Sequence, residues 1–163
     1  MNYNTLPQGV RLAVEAAQNK KAAGISVLDL SGVGAFTSYF VICTGFSTPQ
    51  VQAICNEVEE QLYKELGRSP QHREGRGSSE WALLDFGSFI VHVFSEQARA
   101  YYDLERLWRS APKLAIADEP GGPGGHGTSG HGNSHGTSHG APHGTQRNVA
   151  MGGSHAPGEA VSK

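Results

Sequence analysis

The sequence predicts a small α/β domain followed by a disordered tail. Three observations carry this. Among its 163 residues nearly all large apolar side chains fall before Ala117. Residues 39–44 (Tyr-Phe-Val-Ile-Cys-Thr) form an unbroken apolar run, as in a strand covered on both faces. Amphipathic helical patterns stand between the strand-like segments, which implies a small mixed sheet with helices packed on it.

The elements follow in order. Residues 7–23 read as a helix, because Val10, Val14 and Ala17 recur at helical spacing and Gly24 offers a stop. Residues 25–30 are a short aliphatic run and read as a strand; Ser31-Gly32-Val33-Gly34 reads as a loop. After the second strand, Thr48 is placed to cap a helix with Pro49 at its first position, where a missing N–H costs nothing. Val51, Ile54, Cys55, Val58, Leu62 and Leu66 form its apolar stripe, and Gly67 ends it. Residues 68–80 are polar and Gly-rich, with room for a short edge strand at 71–74.

Residues 81–86 and 89–94 flank Gly87-Ser88, a two-residue hairpin turn with Gly where a positive φ is needed. That turn sets Phe86 opposite Phe89, Asp85 opposite Ile90, Leu83 opposite His92 and Trp81 opposite Phe94. One face is then wholly apolar (Ala82, Leu84, Phe86, Phe89, Val91, Val93). The other is mixed (Trp81, Leu83, Asp85, Ile90, His92, Phe94). A last helix is expected from a Ser95 cap to about Arg109, burying Ala100, Tyr101, Leu104, Leu107 and Trp108, with Arg99, Asp103 and Arg106 in water and Tyr102 and Glu105 at the border.

The working domain is residues 5–115, and 118–163 is a Gly/His-rich tail. The tail repeats a His-Gly unit at His126, His131, His135, His139 and His143, too polar to offset its ordering entropy. Those imidazoles are weak candidate ligands for Ni²⁺ or Zn²⁺; the alternative is a tolerated polar extension. Cys43 and Cys55 read as small buried hydrophobes, since no CxxC spacing is present. No apolar run approaches the roughly 18 residues of a membrane span, and no N-terminal h-region is seen. A cytoplasmic protein is the expectation.

Catalysis finds little support. Gly32-Val33-Gly34 lacks the third glycine of a dinucleotide loop, with Thr37 in its place. Gly77-Ser78 and Gly87-Ser88 are not followed by the acidic pair that Mg²⁺-dependent nucleotidyl transfer needs. Asp29 and Asp85 are isolated carboxylates. His92 and Asp85 share a hairpin face and could pair, structurally or beside a nucleophile such as Cys43 or Ser47. No cofactor is called for. The chain carries a formal charge of −2, or −1 once Asp118, Glu119, Arg147, Glu159 and Lys163 are set aside. It therefore lacks the cationic surplus of a phosphate binder. Aromatics beside a few polar groups fit a protein interface better: Trp81 on the mixed face, with Tyr102, Glu105 and Trp108 on or near the last helix's buried arc. The opposing reading makes Trp81 and Trp108 ordinary core, and for Trp108 that reading is preferred.

The pattern resembles a known family. Tyr39-Phe40-Val41-Ile42-Cys43-Thr44-Gly45 with Ser47 and Gln50-Val51 resembles the strand–helix signature of the Iojap, or ribosomal silencing factor, family. Glu74-Gly75, Trp81, Asp85-Phe86-Gly87 and residues 91–94 resemble its hairpin, and residues 101–108 its closing helix. The match runs over residues 8–112 in order. Ser38, Phe46, Pro49 and Ser88 depart from the family pattern at loop edges.

The resemblance implies a nucleotidyltransferase-like fold without catalytic acids and without enzymatic activity. It implies binding to the large ribosomal subunit through an L14-type protein, steric exclusion of the small subunit, lower translation under nutrient limitation, and a role in large-subunit maturation. Trp81 falls at a family contact position, followed by Asp85, Tyr102 and Glu105; Trp108, His92 and Asp29 are assigned structural roles. Little direct RNA contact is expected, and homodimerisation stays open. The alternatives are a degenerate nucleotidyltransferase-like enzyme, or metal binding through the His-Gly tail.

Overall fold

The structure is a computed structural model that describes residues 1–118 except Arg76 and Ser79. The expected disorder of the tail and its five candidate histidines lie outside the described residues.

After a single 3₁₀ turn at Tyr3–Thr5, helix α1 spans Gln8–Asn19 and buries Val10, Ala13, Val14 and Ala17. Sequence periodicity carried this helix on to Ala23. The chain instead reverses at Lys20 and Lys21, Lys21 taking a φ of +61°. Strand β1 then runs over Ala23–Asp29. Gly24, expected as a helix stop, sits inside β1 with φ +56°, where the pairing with the next strand slips between Ala23 and Ser26. It is a bulge glycine.

Strand β2, Tyr39–Thr44, lies where the apolar run placed it, with Phe40 through Thr44 buried. Helix α2, Thr48–Leu66, buries Val51, Ile54, Cys55, Val58 and Leu62 and ends at Gly67 with φ +64°. Its cap is Ser47 rather than Thr48: the Ser47 hydroxyl accepts from the Gln50 amide at 3.2 Å. Serine wins because its extended backbone points its oxygen at the orphan N–H groups of the first turn.

Strands β3 (His72–Glu74), β4 (Trp81–Asp85) and β5 (Phe89–Phe94) follow. The β4–β5 register is the one the Gly87-Ser88 turn predicted, from Trp81 opposite Phe94 to Asp85 opposite Ile90. Gly87 has φ +87°.

The final helix departs from expectation. Helix α3 covers only Glu96–Tyr102, capped by the Ser95 hydroxyl on the Ala98 amide. Asp103 takes φ +45°, and a one-turn helix α4 follows at Leu104–Leu107. The predicted arc does not form: α3 turns Ala98 rather than Ala100 and Tyr101 to the core, and the break at Asp103 changes the phase for the residues after it. Ala98 is buried and Leu104 and Trp108 are half-buried, whereas Ala100, Tyr101 and Leu107 are exposed. A strand not foreseen, β6 (Lys113–Ala115), pairs with the edge of β1.

The six strands are ordered β3-β4-β5-β2-β1-β6. The central β2–β5 pair is parallel and all other pairs are antiparallel. Helices α1 and α2 cover one face and meet the apolar hairpin residues Ala82, Leu84, Phe86, Phe89, Val91 and Val93. The opposite face packs Leu28, Leu30, Phe40, Ile42, Ile90 and Phe94 under Ala98, Leu104 and Trp108. That second cover is short, so the face is left partly open over β3 and β4. No described helix is long and apolar enough to cross a membrane.

Candidate docking surface

Trp81 opens β4 on the thinly covered face. Tertiary packing brings it to Tyr102, with ring centroids 4.7 Å apart, and to Phe94 at 4.9 Å. Tyr101 stands edge-on to Tyr102 at 5.1 Å. Trp81 is half-buried, while Tyr102 is 47% exposed and Tyr101 82% exposed. The result is an aromatic patch open to solvent and backed by core.

The Trp81 indole N–H donates to Nδ1 of His92 at 3.1 Å. His92 is buried, and burial pulls its pKa down to about 4. The imidazole is therefore neutral at pH 7. Since Nδ1 accepts, its proton resides on Nε2, which has no hydrogen-bond partner. Phe40 packs against the ring at 4.5 Å, edge to face. The apolar surroundings make protonation costly and so hold the acceptor that orients Trp81.

The anticipated His92–Asp85 pair does not form. His92 gives its acceptor to Trp81, and Asp85 Oδ1 accepts from the Gly87 amide at 2.7 Å and from Gln71 at 3.4 Å. Asp85 fastens the hairpin turn. Four residues along β4 separate it from Trp81, about 13 Å. The β3–β4 register places His72 opposite Asp85 and Glu74 opposite Leu83. Trp81, Leu83, Asp85, His72 and Glu74 thus share the open face, and His72 and Glu74 pair at 2.8 Å.

Glu105 does not join Trp81. It turns inward, its carboxylate accepting from Arg99 at 2.6 Å and Ser26 at 3.0 Å, with Lys113 at 3.5 Å. Burial raises its pKa, but the Arg99 hydrogen bond and charge, the Ser26 hydroxyl and Lys113 outweigh that and hold the carboxyl below its ordinary value. Arg99, expected in water, is the hub: it also donates to the Gly24 carbonyl at 2.6 Å and to Thr44 Oγ1 at 3.0 Å. A single sequence cannot pair Arg99 with residues 75 and 55 positions away; the only local signal was the Arg99–Glu105 spacing across the helix break. Trp108 stands edge-on to Phe40 at 6.1 Å. Asp29 accepts from the Ser31 amide at 3.0 Å and orders the turn after β1.

Neither candidate nucleophile is placed for attack. Burial pushes the Cys43 thiol up to about 12, and Ser47 is spent as a helix cap. Among the described residues no group of three or more His, Cys, Asp or Glu is arranged to hold a metal ion.

These features define a class: a small α/β protein with a solvent-open aromatic patch, Trp81 against Tyr102, backed by the core of a six-stranded mixed sheet. A family model described as "Ribosomal silencing factor during starvation" matches residues 3–138, and the chain belongs to that family. It is 39% identical over 107 residues to ribosomal silencing factor RsfS of Halalkalibacterium halodurans, covering 66% of this chain and 91% of that one. It is 41% identical over 103 residues to RsfS of Bacillus subtilis, covering 63% and 86%. It is also 32% identical over 105 residues to the chloroplastic protein Iojap of Zea mays, covering 63% and 44%. Among solved structures, an X-ray structure of a Chromobacterium violaceum protein is similar at TM-score 0.60 and 35% identity, covering 74% of this chain and 98% of that chain. A crystal structure from Bacillus halodurans gives 0.57 and 38%, covering 66% and 96%.

Proposed function

We propose that this chain is a non-enzymatic ribosomal silencing factor that acts in the cytoplasm. It docks on the large ribosomal subunit through an L14-type protein, excludes the small subunit by its bulk, and so lowers translation when nutrients are limiting. The carrying observation is the Trp81–Tyr102 pair, two large rings in contact at a face that α3 and α4 leave partly open. An anchor of this kind, rigid and backed by core, is what a binding hot spot requires. Trp81 is the anchor, Tyr102 its wall, and Asp85 a polar contact further along the same face. Glu105 acts on the surface indirectly, by fixing the turn that presents Tyr102. The relatives' printed names, ribosomal silencing factor, support the same reading.

A standard interface of roughly 800 Å² per partner suffices for such exclusion, with no covalent step. The test is co-sedimentation of the protein with separated ribosomal subunits in sucrose gradients, followed by addition of small subunits. The protein is expected to travel with the large subunit and to deplete joined ribosomes. Trp81→Ala is expected to lose about 2 kcal/mol of binding, roughly thirtyfold in Kd, while retaining a cooperative melt. Wild-type affinity in a folded Trp81→Ala variant would remove Trp81 from the interface.

A further inference from the structure

The break at Asp103 changes the chemistry of the corner it creates. Tyr101, near the end of α3, and Leu107, at the end of α4, are 82% and 71% exposed on either side of it. Glu105 turns inward, where Arg99 and Lys113 neutralise it. Arg106 and Arg109 are left on the outside, exposed and with no ion pair among the described residues. Asp103 is the carboxylate that lines the groove with Arg106 and Arg109, and Glu80 lines the adjoining groove on the other side of Tyr101 and Tyr102. A chain of formal charge −2 thus carries a local cationic and aromatic spot, joined to the docking patch through the Tyr101–Tyr102–Trp81 ring contacts.

We propose that this corner contacts the phosphate backbone of ribosomal RNA beside the protein docking site, a proposal that rests on the large-subunit reading above. Guanidinium groups without carboxylate partners fit phosphate oxygens bidentately. A tyrosine ring open on its outer side offers a base a stacking surface. The contact is small and adds to a protein-mediated one; two arginines do not make an independent RNA binder.

The experiment measures binding of the full chain to isolated large subunits over a range of salt concentrations. The wild type is compared with the Arg106→Gln/Arg109→Gln double variant and with Trp81→Ala. Both arginines are exposed, so the double variant is expected to melt like the wild type. Each lost phosphate contact removes about 0.7–0.9 from the slope of log K against log salt. The double variant should therefore bind more weakly and show a slope shallower by about 1.5. Trp81→Ala should weaken binding at every salt concentration and leave the slope alone. Ultraviolet irradiation of the wild-type complex should put a nucleotide adduct on the peptide that contains Tyr101.

If the double variant keeps wild-type affinity and slope, the RNA contact is overturned while the docking reading stands. A weaker double variant with unchanged slope and no nucleotide adduct would place a ribosomal protein at the corner and overturn it equally. If the wild type fails to bind large subunits at all, both readings fall together.

Discussion

His92 links the aromatic patch to acidity through its hydrogen bond from Trp81. Folding holds its imidazole neutral, with a pKa near 4 against an ordinary 6.5. The unfolded chain therefore takes up the proton first as pH falls. The stability this supplies is complete above about pH 6.5 and is lost as pH drops from there through about 4, amounting to about 3 kcal/mol. Urea melts across that window should show the loss. His92→Gln, which keeps an acceptor for the Trp81 indole, should be less stable at pH 7 but flatter between pH 6.5 and 4. Parallel pH profiles for the two proteins would show that His92 does not govern the window. Glu105, held below its ordinary carboxyl value, adds a loss at lower pH, where its carboxylate is protonated and releases Arg99.

At the scale of elements, two local devices set the site. The first is the turn before β4. Gly75 has φ +71°, and a Cβ there would stand 1.9 Å from the Trp81 carbonyl oxygen. Gly75→Ala must both strain the backbone and push β4 away, so it should cost at least about 2 kcal/mol in chemical denaturation and weaken subunit binding through Trp81. An unchanged denaturation midpoint would contradict that packing. The second device is the clamp that joins α3 and α4 to β1 through Arg99 and Glu105. Glu105→Gln keeps the shape but leaves the half-buried guanidinium without its counter-charge. We expect a loss of about 1–2 kcal/mol in stability, discounted because the pair is partly exposed. A measurable fall in subunit affinity should accompany it, because Tyr102 is presented by the helix that the clamp holds. Loss of stability with unaltered affinity would confine Glu105 to a structural role.

For the whole molecule, the reading of a protein-docking factor predicts that the working domain binds by itself. Deleting residues 120–163 should leave co-sedimentation with the large subunit unchanged; a loss would assign the His-Gly segment a part in binding. The same full chain should show no saturable ATP binding with Mg²⁺ by calorimetry, since Asp29 and Asp85 are engaged in separate turns. Saturable binding would revive the nucleotidyltransferase alternative.

Much of the architecture was legible in the residues because its causes are local. The apolar run at 39–44, the stripe of α2 and the Gly87-Ser88 turn each fix an element through periodicity or turn geometry, and the hairpin register with its two faces follows from that turn. The aromatic identity of the patch was also in the sequence, as Trp81 and Tyr102. Tertiary structure alone decided the rest. Strand β6 has three residues and exists because the edge of β1 offers unpaired backbone groups. The helix break at Asp103 is a strained conformation for a non-glycine residue, and the long-range clamp of Arg99 on Gly24, Thr44 and Glu105 braces the segments on either side of it. The choice of Trp81 over Asp85 as the partner of His92 was likewise a matter of three-dimensional proximity. Local propensity determines which segments become helices and strands; which side chains face water at their junctions depends on contacts between residues far apart in the chain.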